Sequence, residues 1–410
     1  MIFTSLSPNA ETDDIVLAIK TFFSPRKWVT GSAAVSLENA FKNWLPIKHA
    51  FAFSCGRSCL LAILSSLNLN KEDEVLLQAY TCVAVPDPVI WAGVTPVYVD
   101  CEEQTFTMSP ADLTRKITAR SKVLIIQHTF GHPAEMDALL KLAKKHKLFV
   151  IEDCAHAMGA RYKGKLVGSF GDAGFFSFGR DKVLSSIFGG VAVTNNSLLA
   201  LKISRYQQSL PYPSRYWILK QLRHLPMTAV AKPMYEMFSF GKALLWLAYR
   251  LTLLSKAVEE LEKQGRKPSF IDKKIPNALA LLALHQFQKL ERFNAHRRKI
   301  TKIYNRELEN SELVLPIEKK NIKPIYLRYT VRSNMATRII REARQNHIEL
   351  GDWYQTPVAP AGVNVRKVGY KPGSCPVAEK LCRQSINLPT HIHISENDAQ
   401  TIINHLRRYR

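Results

Sequence analysis

The stretch GDAGFFSFGRDKVLSSIFGGVAVTNN, at residues 171–196, places a lysine between two segments that favour β-strands. The aromatic run GFFSF at 174–178 precedes it, and the run GVAVT at 190–194 follows it. A charged hairpin is the simplest explanation of this pattern. A lysine that meets a ligand explains it better, because ligands of open α/β sheets bind beyond the carboxyl ends of the strands.

The segment before this stretch alternates between strand-like and helical patterns. Apolar runs typical of strands lie at 74–78 (EVLLQ), 96–100 (PVYVD), 122–128 (KVLIIQH) and 148–153 (LFVIED). Between them, SCLLAILSSLNL and MDALLKLAKKHK carry apolar residues at helical spacing. Such alternation is typical of βαβ units. We therefore predict an α/β protein with a three-layer large domain and a mainly parallel sheet.

Changes in composition divide the chain into three predicted regions. Residues 1–198 form the large domain, 199–268 a basic, aromatic-rich helical insertion, and 269–410 a long helix followed by a small α+β domain. The long helix, NALALLALHQFQKLERFNAHRRKITKIYNREL, is predicted to begin after Pro276. A strand in IYLRYTVRS and helices in ATRIIREARQNHI and SENDAQTIINHLRR follow it.

The insertion is interrupted by Pro226, Pro233 and Gly241, which predicts two or three helices. Helices with an apolar face and basic flanks lie on anionic membranes in some proteins and pack at subunit interfaces in others. A membrane contact through residues 210–262 is therefore one reading. Packing of the insertion on its own chain or on a dimer mate is the alternative.

Composition limits the classes of partner. The chain has 410 residues and a formal net charge of +23, which suggests nucleic acid, an anionic membrane or phosphorylated substrates as partners, or else a basic surface without a specific partner. The basic residues are scattered and no nucleic-acid motif is present, so we expect no nucleic-acid partner. The start, MIFTSLSPNAETDD, lacks the pattern of a secretory signal, and no apolar run could span a bilayer, so we expect a cytoplasmic protein. Seven cysteines without CxxC spacing predict reduced thiols and no metal site.

Asp153 and Lys182 are the first candidates for chemistry. Asp153 ends the predicted strand at 148–153, where it either caps a helix beginning at Ala155 or holds a cationic ring nitrogen, as pyridoxal phosphate requires. Lys182 is either a solvated surface lysine or a desolvated, nucleophilic amine near the same ring. Their positions at the carboxyl edge of one sheet favour the second reading of each.

A phosphate site completes this pattern. Gly56, in FSCGRSCLLAIL, opens a predicted helix whose first-turn amides could hold a phosphate, although an ordinary helix cap explains the same residues. Ser177 is a second candidate ligand of the phosphate. Together these residues predict a pyridoxal phosphate pocket, with the ring nitrogen on Asp153 and the aldehyde carbon on Lys182.

A set of segments resembles the DegT/DnrJ-type sugar aminotransferases, which are aspartate aminotransferase-like enzymes of fold type I. The segments are FSCGRSCLLAI, DEVLLQAYTCVAV, GVTPVYVD, LIIQHTFGHPAEMD, FVIEDCAHAMGARYKGKLVGSFGDAGFFSFGRDK, GGVAVTN and YKPGSCPVAEKLCRQSINLPTH. The resemblance implies that Lys182 binds the cofactor covalently, that Asp153 binds its ring nitrogen and that Ser177 contacts its phosphate. It also places His156 near the phenolic oxygen.

The chain departs from this family at several positions of the pocket. Cys55-Gly56-Arg57 replaces a common Ser-Gly-Thr, which leaves Arg57 or Ser58 as the substitute for the threonine. Cys82 stands where an aromatic residue often covers the ring, so ring stacking is unassigned. The remaining departures are Gly179 in place of a histidine, the sequence Ile187-Phe188-Gly189-Gly190 in place of GEGG, and Asp272 or Asn277 as uncertain counterparts of an asparagine from the neighbouring subunit.

The resemblance implies a homodimeric transaminase that moves an amino group from glutamate to a nucleotide-linked keto sugar, most often for surface polysaccharide. Lys182 disfavours a related dehydratase branch, in which a histidine replaces the lysine. Two alternatives remain open. One is a catalytically idle or regulatory protein of the same fold, and the other is a membrane-surface protein that uses the basic insertion.

Overall fold

The structure, a computed structural model, describes residues 1–235 and 240–409. Residues 236–239 of the predicted insertion, and residue 410, lie outside the described part. Its strands are β1 Ile2–Phe3, β2 His49–Phe53, β3 Glu74–Gln78, β4 Thr81–Cys82, β5 Thr95–Val99, β6 Ser121–Gln127, β7 Phe149–Asp153, β8 Arg161–Tyr162, β9 Lys165–Leu166, β10 Ala173–Ser177, β11 Gly190–Thr194, β12 Ile322–Lys323, β13 Tyr329–Arg332, β14 Ile348–Glu349, β15 Val358–Ala359 and β16 Ser385–Leu388.

Helices flank these strands along the described chain. They are α1 Thr12–Phe22, α2 Ala33–Trp44, α3 Gly56–Ser65, α4 Pro86–Trp91, α5 Pro110–Lys116, α6 Met136–Lys145, α7 Ser197–Ser209, α8 Arg215–Ala231, α9 Phe240–Arg250, α10 Asn277–Phe287, α11 Leu290–Leu308, α12 Ala336–Gln345, α13 Pro376–Gln384 and α14 Glu396–Leu406. Within the described ranges, no helix is long and apolar enough to cross a membrane.

A seven-stranded sheet in the order β2-β11-β10-β7-β6-β3-β5 forms the centre of the fold. Its strands run parallel except β11, which pairs antiparallel with both β10 and β2. The α/β prediction with a mainly parallel sheet is thereby confirmed. The hairpin explanation of the 171–196 stretch is confirmed, since β10 and β11 pair antiparallel. Their connecting loop carries Lys182 to the carboxyl edge of the sheet, where its meeting with a ligand stays a prediction. The edge strand β2 was not among the predicted strands.

Side chains alternate across the sheet and fill a core on each face. On β10, Phe175 packs in the core with α3, whereas Phe176 packs in the core with α2 and α10. The ring centroids of Phe41 on α2 and Phe176 lie 5.3 Å apart in an edge-to-face arrangement. This burial of large apolar side chains on both faces gives the sheet the rigidity that holds its carboxyl edge in place.

Two helix predictions are wrong in detail. The helix predicted after Pro276 is divided into α10 and α11, because Gln286 and Lys289 turn to other parts of the chain. Gln286 donates to the carbonyl of Asn9 over 3.0 Å, and Lys289 pairs with Asp14 of α1 over 3.0 Å. 

Pro226 lies inside α8 and does not interrupt it. Buried side chains on both sides of the proline, including Leu222 and Thr228, anchor the helix against α1 and α10. This packing compensates for the missing N–H group of the proline.

Glu152 and Asp153 are adjacent on β7, and their carboxylates point to opposite faces of the sheet because side chains alternate along a strand. Glu152 is fully buried and accepts hydrogen bonds from the amides of Gly168, Phe170 and Gly171 over 2.6–2.8 Å. His128 lies 3.1 Å from the same carboxylate. Glu152 is therefore occupied in holding the loop before β10, and Asp153 is left to face the carboxyl edge.

Candidate functional site

A cavity of about 590 Å³ opens beside the carboxyl ends of β6, β7 and β10. Among the residues singled out by sequence, it is lined by Gly56, Arg57, Asp153, His156, Ser177 and Lys182. Ser58 is absent from the lining. The structure thus brings together six of the seven predicted site residues, which are spread over more than 120 positions of the chain.

Asp153 ends β7 and is buried. One of its carboxylate oxygens accepts a hydrogen bond from the amide of Ala155 over 2.9 Å. No helix begins within the described residues 154–160, so the alternative of a helix cap at this position is wrong. Burial raises the pKa of Asp153, and the charges of Lys182 and His128 oppose that rise. A cation placed in the cavity would therefore be stabilised by this carboxylate.

Lys182 lies in the loop between β10 and β11, against Gly179. Its backbone amide donates to the carbonyl of Gly179 over 3.2 Å, and its own carbonyl accepts from the side chain of Asn9 over 2.6 Å. Burial lowers the pKa of Lys182, while the charge of Asp153 opposes the change. A lysine with a lowered pKa has a larger fraction of neutral, nucleophilic amine near neutral pH.

His156 lines the cavity beside these two groups. Its Nδ1 accepts a hydrogen bond from the amide of Phe130 over 3.3 Å, which leaves Nε2 as the protonated nitrogen of the neutral ring. Burial lowers the pKa of His156 well below its ordinary value, and the charges of Lys182 and Arg328 lower it further. The neutral ring can therefore donate one hydrogen bond from Nε2 into the cavity.

The first turn of α3 forms a narrow cradle with Ser177 and Gly190. A Cβ atom at Gly56 would lie 2.9 Å from the Cβ of Ser177, and one at Gly190 would lie 2.8 Å from the amide nitrogen of Gly56. Glycine is required at both positions for this close approach. The amides at the start of α3 and the hydroxyl of Ser177 are thus placed to bind an anion.

Arg57 does not point its guanidinium at an anion site. The group forms an ion pair with the carboxylate of Glu262 and donates to the carbonyl of Ala257 over 3.2 Å. It also lies 5.2 Å from the ring centroid of Phe270. Desolvation lowers the pKa of Arg57, but the charge and hydrogen bond of Glu262, together with Cys55 and Cys82, outweigh it and raise the pKa overall. Arg57 is therefore a structural residue that fastens the segment around 255–263 to the cavity wall.

Ser58, the other residue expected to replace the phosphate-binding threonine, also lies away from the cavity. Its hydroxyl lies 3.1 Å from the hydroxyl of Ser54 and 3.3 Å from the Sγ of Cys55, in the buried interior of the protein. The first turn of α3 thus directs Ser58 away from the cavity.

The candidates for a contribution to a neighbouring subunit are engaged within this chain. Asn277 accepts from the amide of Ala33 over 3.2 Å and donates to the carbonyl of Lys27 over 2.7 Å. Asp272 accepts from the hydroxyl of Tyr206 over 2.5 Å.

Sequence reasoning missed the contributions of the C-terminal region to the cavity. Arg328, Trp353 and Tyr354 line it. Arg328 is buried, its guanidinium carbon lies 3.2 Å from the ring centroid of Trp353, and it has no ion pair with a carboxylate among the described residues. Burial lowers the pKa of Arg328 to about 10. The only signal in the sequence was an arginine within an otherwise apolar strand pattern.

Tyr354 and Phe130 bring aromatic surface to the cavity. Their ring centroids lie 5.6 Å apart in a stacked arrangement, and His156 stacks on Phe130 at 5.8 Å. Cys82 lines the wall without an aromatic ring.

A sequence model described as the DegT/DnrJ/EryC1/StrS aminotransferase family matches residues 9–217 and 250–407. The chain belongs to this family. Among curated relatives, it is 28% identical to GDP-perosamine synthase of Escherichia coli O157:H7, with 91% of this chain and 89% of the relative covered. It is 26% identical to the UDP-N-acetyl-3-dehydro-alpha-D-glucosamine 3-aminotransferase of Acidithiobacillus ferrooxidans, with 97% and 94% covered.

Solved structures of the family share the fold. DesV of S. venezuelae superposes with a TM-score of 0.75 at 25% identity, covering 97% of this chain and 94% of that chain. The PLP form of Spr1654 from Streptococcus pneumoniae superposes with a TM-score of 0.77 at 20% identity, covering 100% and 98%. The fold is thus that of the fold type I aminotransferases.

The residues of the cavity fit pyridoxal phosphate, the cofactor of this aminotransferase family. Gly56, at the start of α3, and Ser177 line the same cavity, and their close approach leaves no space for a side chain at position 56. Asp153 is a buried carboxylate that a cationic ring nitrogen would stabilise, and Lys182 is a buried amine in the same cavity. The enzyme is therefore a pyridoxal phosphate-dependent transaminase.

We expect Gly56→Ala to weaken cofactor binding about tenfold or more and to lower the melting temperature, because the added methyl group collides with Ser177. Cofactor affinity is measured by titration of the apoenzyme with pyridoxal phosphate. The double variant Gly56→Ala/Ser177→Gly removes the colliding atoms, so the melting temperature should recover while affinity stays low. Ser177→Gly alone is the control. An unchanged affinity in Gly56→Ala would show that the phosphate binds elsewhere.

Asp87 on α4 is a buried carboxylate close to the Arg57–Glu262 pair. Neither of its oxygens has a hydrogen-bond partner among the described residues. Burial, aided by the charge of Glu262 and opposed by that of Arg57, raises its pKa from 3.8 to about 8. Between these values the folded protein holds a proton that the unfolded chain releases, so stability falls as pH rises through this window.

The side chain of the Asp87→Asn variant is neutral at every pH. We therefore expect the free energy of unfolding to fall less steeply with pH in this variant, by up to about 1.4 kcal/mol per pH unit. The free energy of unfolding in urea is compared at about pH 5 and about pH 8. Glu72→Gln, at an exposed position, is the control. A slope equal to that of the wild type would mean that Asp87 is ionised in the folded protein.

Proposed function

We propose that this transaminase moves an amino group from glutamate to a nucleotide-linked keto sugar. The observation that carries the proposal is the joint placement of Lys182, Asp153 and the α3 cradle around one cavity. Glutamate leaves as 2-oxoglutarate, and the ketone of the sugar becomes an amine. Pyridoxal phosphate supplies an electron-accepting ring that stabilises negative charge at the carbon that carries the amino group.

Each residue of the cavity takes one part of this task. Asp153 would keep the ring nitrogen protonated, and the first turn of α3 with Ser177 would hold the phosphate. His156 would donate from Nε2 to an oxygen of the cofactor, since its Nδ1 is already occupied. Lys182 would hold the aldehyde carbon and, once released, would move a proton at the α-carbon of glutamate, a role that its lowered pKa favours.

Arg328 is the residue that we assign to the carboxylate of glutamate. It is a buried cation in the cavity without a carboxylate partner in the described chain, and its stacking on Trp353 holds the planar group in one orientation. A guanidinium forms two parallel hydrogen bonds with a carboxylate. An anionic donor would compensate for the desolvation that lowers the pKa of Arg328.

The choice of a nucleotide-linked acceptor is supported by the relatives and by charge at the cavity. The curated relatives include a GDP-perosamine synthase and an aminotransferase for a UDP-linked sugar. Lys256 and Lys263 line the cavity, and both pair with Glu260. One carboxylate cannot neutralise two ammonium groups, so positive charge remains for a diphosphate.

Wider aspects of the role are proposals as well. A relative at 26% identity is the spore coat polysaccharide biosynthesis protein SpsC of Bacillus subtilis, which supports a product used in surface polysaccharide. A homodimer in the cytoplasm stays a prediction from the sequence resemblance. A membrane contact through residues 210–262 also stays a prediction, although the last part of this segment, including Lys256, Val258 and Glu260, lines the cavity.

A catalytically idle or regulatory protein of the same fold is the competing candidate. The observation in its favour is the 26% identity to the pleiotropic regulatory protein of Geobacillus stearothermophilus, over 97% of this chain. The cavity with its buried lysine and aspartate favours catalysis, because an idle protein has no need to desolvate both groups.

We expect Lys182→Ala to abolish the visible absorbance band of the bound cofactor and to lower the transamination rate by about 10²–10⁴-fold or more. Absorbance is recorded before and after glutamate is added to the wild type and the variant. The wild-type band should fall on addition of glutamate. A wild type that forms the band but does not respond to glutamate would contradict the proposed donor, and one that forms no band would favour the regulatory candidate.

We expect Arg328→Lys to raise the KM for glutamate about 10–100-fold, because a lysine keeps the charge but loses the paired hydrogen bonds. The KM for the sugar substrate and the absorbance of the bound cofactor should stay near the wild-type values. Arg328→Met, which also loses the charge, should have a larger effect. An unchanged KM for glutamate in both variants would overturn the assignment of Arg328.

A further inference from the structure

An exposed apolar surface lies on the outer side of α8 and α9, away from the cavity. Tyr216 is 54% exposed, Trp246 67%, Leu247 47% and Leu251 56%. The hydroxyl of Tyr216 lies 3.4 Å from that of Thr252, which joins the start of α8 to the end of α9. We call these four exposed apolar side chains the α8–α9 face. None of them lines the cavity of the active site.

The packing of α9 directs this face outward. Gly241, Leu245 and Ala248 are buried on the inner side of the helix. A Cβ atom at Gly241 would lie 2.2 Å from the carbonyl oxygen of Ala231, so α9 crosses the end of α8 in close contact. Trp246 and Leu247 therefore cannot turn inward without breaking this crossing.

The segment that carries the α8–α9 face is strongly basic. Residues 210–252 contain six lysines and arginines and a single carboxylate residue, Glu236. Lys220 lies 4.6 Å from the ring centroid of Tyr216. Lys242 and Arg250 are exposed at the two ends of α9. None of these three cations forms an ion pair with a carboxylate in the described part of the chain.

The family match leaves out half of the α8–α9 face. Residues 218–249 lie between the two matched segments, so they include Trp246, Leu247 and Lys242. A segment that the family match leaves out, and that does not line the cavity, serves a purpose other than holding the cofactor.

We propose that the α8–α9 face docks the enzyme on an anionic lipid bilayer. Exposed tryptophan and leucine side chains insert at the boundary between headgroups and acyl chains, and flanking lysines and arginines attract anionic headgroups. The contact is peripheral, since no described helix is able to cross a bilayer. Binding leaves the cavity free, because the face and the cavity share no residues.

Charge disfavours a second copy of the chain as the occupant of this face. A two-fold interface places the same patch on both subunits. Segment 210–252 of one subunit, which carries an excess of five positive charges, would then lie close to the same segment of its mate. Like charges opposed across an interface cost several kcal/mol. An anionic surface instead neutralises them.

The test is flotation of the holoenzyme with phosphatidylcholine vesicles, with and without phosphatidylglycerol, at low and high salt. We expect binding only to vesicles that contain phosphatidylglycerol, and loss of binding at high salt. Lys242→Gln/Arg250→Gln should weaken binding about thirtyfold. Trp246→Ser/Leu251→Ser should abolish flotation while the cofactor absorbance and melting temperature stay at wild-type values.

Matched controls lie elsewhere on the surface. Lys141→Gln/Lys144→Gln removes two exposed charges from α6, and Phe23→Ser removes an apolar side chain that is 76% exposed. Both control variants should float like the wild type. Absence of flotation of the wild type, or equal loss in the controls, would overturn the proposal. A fall in the molar mass in solution on substitution of the face, without an effect on vesicles, would assign it to a second copy instead.

Discussion

The burial of an acid and an amine in one cavity is the constraint on which the rest of the structure depends. Removing Asp153 and Lys182 from water disfavours the charged form of each, as the directions of their pKa values show. A fold can keep such groups only where rigid elements hold them. Here Asp153 lies at the end of a central strand, and Lys182 lies in a loop fastened at Gly179 and Asn9. A cationic cofactor ring would offset this cost for the carboxylate, as proposed above.

Arginines at the rim of the cavity fasten a further segment to the core of the protein. Arg57 pairs with Glu262, and Arg180 donates to the hydroxyl of Ser255 over 2.7 Å. Both contacts tie the residues around 255–263 to the wall of the site. The resemblance places a phosphate-binding threonine at the position of Arg57, and here the guanidinium at that position pairs with Glu262 instead. The proposed phosphate contacts therefore rest on the helix start and Ser177.

The α8–α9 face and the cavity differ in the exposure and pairing of their side chains. The active site uses desolvated groups in fixed positions, whereas the α8–α9 face combines exposed apolar side chains with nearby cations that form no ion pair among the described residues. The first arrangement suits a small ligand that is enclosed on several sides. The second suits an extended anionic surface. Their separation in space lets one chain carry both without interference.

The sequence by itself determined the features that depend on local pattern. The central strands from β3 to β11, the placement of Asp153 and Lys182 at the carboxyl edge, and the start of α3 at Gly56 all follow from periodicity and strand ends. Tertiary structure decided what depends on distant packing. Only the fold shows that Arg57 pairs with Glu262 and that Ser58 faces the interior of the protein. Only the fold shows, too, that Arg328 lines the same cavity as Asp153, although the two residues are 175 positions apart in the sequence.

The same division explains the wrong predictions. The break between α10 and α11 at Gln288 depends on contacts with α1, which is distant in the sequence. The continuation of α8 through Pro226 depends on contacts with the same helix. Helix propensity and proline are local signals with costs of about 1–3 kcal/mol per residue, and the burial of several large apolar side chains outweighs them. Tertiary packing therefore decides which side chains come into contact, whereas the order of strands and helices can largely be predicted from the sequence.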